Sequence, residues 1–120
     1  MGGDKDFFIH LRLGPGAATL CVNGSRVGVA FCAPTENFAR KRGRDVSRGR
    51  MLAARPWRSF NLKAETAALP YGAAYREAVV NTFNDWVGWL ASQEEGALPY
   101  WLVRLGKNTV EIEPWRGARQ

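Results

Sequence analysis

The side chains with the greatest capacity for chemistry crowd into one stretch, NFARKRGRDVSRGR from Asn37 to Arg50, where arginine and lysine are interrupted by glycine at Gly43 and Gly49. Wound as an α-helix at about 100° per residue, this stretch sets Arg40, Arg44 and Arg48 on one stripe, with Lys41 beside it and Arg55 continuing the line. Phe38, Val46, Gly49, Leu52 and Ala53 fall on the other side, and Arg42 and Asp45 project toward that apolar side, where they need partners. Like charges four residues apart cost a helix roughly 0.2–0.5 kcal/mol per pair, so a ladder of arginines implies an acidic counterpart. Arginine's planar fork of donors matches phosphate oxygens in a way that a lysine ammonium does not. The competing reading is a solvated face that serves solubility alone. Each glycine lowers helix stability by about 1 kcal/mol relative to alanine, a cost expected where a neighbouring element or a ligand must come close.

Catalytic chemistry finds little support. The chain has no HExxH, GxSxG or phosphate-binding Walker loop. Its two cysteines, Cys21 and Cys32, are too few and wrongly spaced for a metal site or a disulfide framework and read as small buried hydrophobes. His10, the single histidine, alternates with Ile9 and Leu11 and reads as a strand residue on the face away from them. Glu94, Glu95, Glu111 and Glu113 read as helix-end and strand-surface charges. The expectation is a protein that binds without turnover, with no cofactor and no metal.

A chain of 120 residues suits one domain spanning 1–120, with segments 1–5 and 116–120 expected to be flexible. The formal net charge of +6 selects acidic partners, such as nucleotides, nucleic acid or an anionic surface. No run approaches the roughly 20 apolar residues of a membrane span, and MGGDKDFF lacks the order of a signal peptide. A cytoplasmic location follows as an expectation, in the host cell if the chain is phage-encoded.

The elements that must position the basic stretch can be read in order. DFFIHLRL alternates with period two, placing Ile9, Leu11 and Leu13 on one face, and ends at Gly14-Pro15-Gly16. AATLCVNGSRVGVAFC reads as a hairpin turning at Asn23-Gly24, with Val22 opposite Ser25 and Leu20 opposite Val27. Its other face, Thr19, Cys21, Gly28, Ala30 and Cys32, is small enough for a helix to pack closely. The basic helix is expected to be capped by Thr35 and to run to Ala54, with amides at Thr35 to Asn37 free to hold an anion. Between Pro56 and Tyr71 the pattern loosens, with Trp57, Phe60 and Leu62 as anchors. A second helix from Gly72 to Gln93 carries Tyr75, Val79, Phe83, Trp86, Val87 and Leu90 on one arc, with Trp89 at its edge; Glu94, Glu95 and Gly96 end it. The terminal segment predicts two strands over 99–113 joined by Gly106-Lys107-Asn108, with Val110 and Ile112 facing inward. The fold class is α+β: about five mostly antiparallel strands with the two main helices on one face.

Residues 22–54, NGSRVGVAFCAPTENFARKRGRDVSRGRMLA in their greater part, resemble a pattern of small phage proteins. A hairpin there ends in C-x-P-x-(D/E/N)-x-F and continues as (S/A)-R-K-x-G-R-x-(I/V)-(A/S)-x-G-R. The pattern is similar to that of the phage Thoeris anti-defence sponges, proteins that sequester cyclic ADP-ribose-type immune signals and, in some members, cyclic oligonucleotides. The matching positions are Phe38, Arg40, Lys41, Gly43, Arg44, Gly49 and Arg50. The resemblance implies a homo-oligomer holding a small phosphate-bearing nucleotide at subunit interfaces. The strand pair at 99–113 and the tryptophan-rich second helix depart from that family.

Chemistry assigns Arg40, Arg44 and Arg48 to phosphates, with Lys41 and Arg50 alongside, and offers Phe38 or Trp57 for stacking on a base. Two alternatives stay open: a basic module that binds nucleic acid along a groove, and an inhibitor that docks its arginine face on an acidic host protein.

Overall fold

Short alternating strands, each bounded by a glycine turn, build the centre of the molecule. The computed structural model describes residues 6–33, 39–93, 97–103 and 112–114. The elements run β1 (Phe7–Leu13), β2 (Gly16–Asn23), β3 (Arg26–Cys32), α1 (Arg40–Ala53), β4 (Ser59–Asn61), α2 (Ala64–Ala67), α3 (Ala73–Ala91), α4 (Tyr100–Val103) and β5 (Ile112–Pro114). The strands form one antiparallel sheet in the order β4-β3-β2-β1-β5, so the α+β class holds. Among the described residues no helix is long and apolar enough to cross a membrane. Segments 1–5 and 116–120, Thr35 with its cap and amides, Phe38, the helix end at Glu94 to Gly96, the turn Gly106-Lys107-Asn108 and Val110 lie outside the described residues.

Period-two alternation gives the sheet two chemically different faces. Ile9, Leu11, Leu13, Ala18, Leu20, Val22, Val27 and Val29 form one face, each essentially inaccessible to solvent. Onto it α3 lays the full arc read from the sequence, Tyr75, Val79, Phe83, Trp86, Val87 and Leu90, and α4 adds Leu102. A fully buried side chain of this size contributes about 1.5–3 kcal/mol, which makes this layer the main source of stability. Phe31, Phe60, Phe83 and Trp86 meet there ring to ring, with centroids 5.2 to 6.3 Å apart.

The other face carries Thr19, Cys21, Gly28 and Ala30, and α1 packs on it along β2 and β3. The two helices therefore cover opposite faces, and the molecule is three-layered rather than having both helices on one side. Small sheet residues let α1 come unusually close. A Cβ at Gly28 would overlap the Ser47 carbonyl oxygen and the Met51 amide and lie 2.7 Å from the Met51 Cα. A Cβ at Gly43 would strike Thr19 Oγ1 and stand 3.1 Å from its Cβ. Gly49 has open space around it, so only Gly43 of the two helix glycines marks a close approach.

This contact rotates α1 away from the orientation expected. The stripe turned to the sheet is Gly43, Ser47 and Met51, of which Ser47 and Met51 are buried; Gly49, Leu52 and Ala53 are exposed and Val46 is half-buried. Arg42 and Asp45 are exposed as well, instead of facing the apolar side. Where the sheet comes closest it meets the small residues Gly43 and Ser47 rather than the more apolar Val46 and Leu52, and Met51 continues the stripe. The helix also starts later than expected, at Arg40, with Ala39 as an N-cap that makes no side-chain cap bond.

The hairpin register differs by two residues from the expectation. Asn23 pairs with Arg26, Val22 with Val27 and Leu20 with Val29, so the turn is Gly24-Ser25. Gly24 takes φ 63° and Ser25 has no positive φ, the pattern of a II′ turn. The Asn23 amide donates to Asp6 Oδ1 at 2.9 Å, which holds Asn23 in the strand. A shift of two preserves both faces. Cys21 lies opposite Gly28, and Cys21 and Cys32 form no disulfide. In the terminal segment Tyr100–Val103 is helical, not a strand, and Ile112–Pro114 pairs with β1. The fifth strand of the sheet is instead β4, from a stretch read as irregular.

One added methyl group should act oppositely on the two sides of α1, at Gly28 of β3 against its inner side and at Gly49 on its outer side. Gly28→Ala is expected to lower unfolding free energy by about 1–3 kcal/mol, because helix backbone must move. Gly49→Ala is expected to raise it by about 1 kcal/mol through helix propensity alone. Urea denaturation of the two variants checks both signs.

Candidate functional site

The rotation of α1 decides where its arginines go. The ladder lies only about 60° around the helix from the buried stripe, on the flank that faces β1. α1 sits over β2 and β3, so the outward residues of β1, Phe8, His10 and Arg12, are only half-buried beside it. Helix flank and strand form an open step, with arginines as its wall and the β1 side chains as its floor.

His10 is the most informative residue on that floor. It stands opposite Thr19 and shares a hydrogen bond between its Nδ1 and Thr19 Oγ1, 2.9 Å long. Burial is the largest cause that lowers its pKa, followed by the positive charges of Arg40, Arg44 and then Arg76; together they push it down to about 4. The imidazole is thus neutral at physiological pH, in a field made positive by the ladder. Thr19 is fully buried and lies under Gly43, so the close helix contact and the His10 hydrogen bond meet at one hydroxyl.

The ladder does not act as a set of three. Arg48 Nε pairs with Asp6 Oδ2 at 3.0 Å, and Asp6 also accepts from Asn23, so Arg48 ties α1 to β1 and to the hairpin end. Asp6 is only 13% exposed, which gives this bridge more weight than a surface pair. Arg40 and Arg44 have no acidic partner among the described residues. Lys41 pairs with Asp45 at 3.2 Å on the outer surface, where such a pair adds at most about 0.5 kcal/mol.

Two further candidates belong elsewhere. Arg50 turns to the far flank and its Nη1 donates to the Val29 carbonyl at 3.0 Å, a group that β4 leaves free because the Arg58 amide bonds Arg55 instead. Burial lowers the Arg50 pKa, as expected of a cation placed inside to satisfy backbone. Trp57 stacks against Trp89, ring centroids 5.6 Å apart, on the β4 side of the molecule and away from the step. Phe38 lies outside the described residues. The site that forms is Arg40, Arg44 and His10, with Arg12 at its margin opposite Glu113.

Sequence reading passed over His10, because alternation alone cannot show which helix flank a strand residue will meet. Arg58 was missed too: its Nη1 donates to the Ala97 carbonyl at 2.8 Å and its guanidinium lies 5.3 Å from the Phe31 centroid. Arg58 fastens the segment before α4 to the sheet edge. Cys21 is buried and its pKa is pushed up to about 12, first by burial and then by Asp6, with Arg48 opposing. A thiol so disposed stays protonated and is no nucleophile. No cluster of three metal-ligating side chains occurs among the described residues.

Because the folded His10 pKa lies below its unfolded value of 6.5, the unfolded chain binds the extra proton first. The resulting stability is complete above pH 6.5 and is lost as pH falls toward 4. Replacing His10 with Asn should flatten that part of the curve, as urea midpoints between these two pH values will show.

Comparison with protein-family models, curated proteins and solved structures returned no match to this chain.

Proposed function

We propose that this protein binds and sequesters a phosphate-bearing cyclic nucleotide on the α1–β1 step, without chemical turnover, with Arg40 and Arg44 gripping phosphate oxygens. The observation that carries this reading is a pair of arginines, without an acidic partner among the described residues, whose charges act on a neutral, half-buried imidazole. The start of α1 supports it. Arg40, Lys41 and Arg42 crowd a helix N-terminus that has no acidic residue in its first turn and no side-chain cap. Each cation placed there opposes the helix dipole by roughly 0.3–1 kcal/mol, and a bound anion reverses the sign of that interaction. His10 adds a polar ring edge beside the phosphate position. The resemblance of residues 22–54 to the Thoeris anti-defence sponges supplies the ligand class, a cyclic ADP-ribose-type signal or a cyclic oligonucleotide.

An open step holds a small ligand tightly only if a second wall closes over it. A second copy of the chain is the proposed wall, which makes the working form a homo-oligomer in the cytoplasm. The openness of the step favours one rival: a nucleic-acid strand running along the helix, since Arg40 and Arg44 are about 6 Å apart along the axis.

Purified protein exposed to a mixture of cyclic dinucleotides and cyclic ADP-ribose isomers, washed and then heated, should release one intact compound to mass spectrometry. The R40A/R44A double variant should release none. A chemically altered compound would show an enzyme. Binding of a single-stranded oligonucleotide that weakens linearly on a log–log plot with salt, with no small molecule captured, would establish the rival.

A further inference from the structure

At the opposite edge of the sheet from β5 lies a second feature that the proposed ligand does not use. β4 is the edge strand, three residues long, and its hydrogen bonds fix which of its backbone groups are free. Leu62 donates to the Ser25 carbonyl at 2.7 Å and Val29 donates to the Arg58 carbonyl at 2.9 Å. Phe60 stands opposite Val27 in the same register, so Phe60 and Leu62 turn their backbone groups toward β3. Ser59 and Asn61 turn their N–H and C=O groups outward.

That outward edge lies in a slot. A depression of about 380 Å³ wraps around β4. Met51 and Ala54 at the end of α1 form one wall, and Trp86 and Trp89 of α3 form the other. Trp89 is 44% exposed and braced from behind by Trp57. The two walls come from the two helix layers, on either side of the β4 edge. Natural edges are usually blunted by proline, lysine or a bulge, and β4, Ser-Phe-Asn, has none of these.

We propose that the β4 edge is a docking site for an extended segment of a partner protein in which apolar and acidic residues alternate. Side chains that align with Phe60 face Trp86 and Trp89, and these are apolar. Side chains that align with Ser59 and Asn61 face the α1 layer, where Arg26 lines the slot and exposed Arg55 adjoins it. Neither arginine has an acidic partner among the described residues, and together they select carboxylates. A second copy pairing edge to edge fits less well, because a two-fold axis through β4 brings the same arginines together. Strand addition takes its affinity from main-chain hydrogen bonds and its specificity from alternate side chains.

Fluorescence anisotropy of a labelled peptide of alternating valine and glutamate, titrated with the full chain, tests the site. Asn61→Pro removes one outward N–H while leaving the β3 ladder intact, a position where an edge strand tolerates proline. It should weaken binding by about tenfold or more, the loss of a backbone hydrogen bond plus the ring's obstruction. Trp89→Ala should weaken it as well, and R40A/R44A should not. Circular dichroism confirms that each variant is folded; should Asn61→Pro not fold, amide exchange of Ser59 and Asn61 in the unaltered protein replaces it, with protection on peptide addition expected. Equal binding of a valine–lysine peptide, unchanged binding by folded Asn61→Pro, no binding, or unprotected amides would each overturn the proposal. So would a dimer in sedimentation that Asn61→Pro dissolves, which would give the edge to a second copy.

Discussion

The contact on which the structure depends is the near-touching of two backbones, α1 against β2 and β3. Gly28 admits the Ser47 carbonyl and the Met51 amide, and Gly43 admits Thr19. Removing side chains from this interface gives up apolar burial, which the opposite face of the sheet supplies through Tyr75, Phe83 and Trp86. The division of labour explains why one helix is amphipathic in the ordinary sense and the other is not. α1 is held by fit and by a few directed bonds: Arg48 to Asp6, and Arg50 to the Val29 carbonyl.

The proposed function is a by-product of that fit. Once Gly43, Ser47 and Met51 point inward, the helical period leaves Arg40 and Arg44 on the flank above β1 and nowhere else. Arg48, one turn further, reaches the end of β1 and is consumed by Asp6. Arg50, on the other flank, completes the sheet edge. A set of identical side chains is thus divided by position into members that face the step, a bridging member and an internal one.

Much of this was legible in the sequence, and the failures have physical causes. Alternation in β1 and the hairpin gave both sheet faces correctly, because a register error of two residues leaves parity intact. The arc of α3 was readable because large apolar residues recur at the helical period. The face of α1 was not, since hydrophobicity pointed to Val46 and Leu52, while steric room chose Gly43 and Ser47. A reading that asked which helix residues are small enough to meet Gly28 would have found the stripe, and with it the separation of Arg50 and Trp57 from Arg40 and Arg44. β4 carries only three residues, too few for a period, and the helical turn at Tyr100–Val103 is shorter than the pattern can resolve.

The central claim is that Arg40 and Arg44, without an acidic partner among the described residues, create a positive field over His10 that suits a phosphate. Because His10 is the single histidine, its ring proton signal can be followed through a pH titration by NMR without assignment ambiguity. The account predicts a midpoint of about 4 in the free protein, raised in the R40A/R44A variant and raised also when inorganic pyrophosphate is added. A midpoint near 6.5 that neither change moves would contradict it.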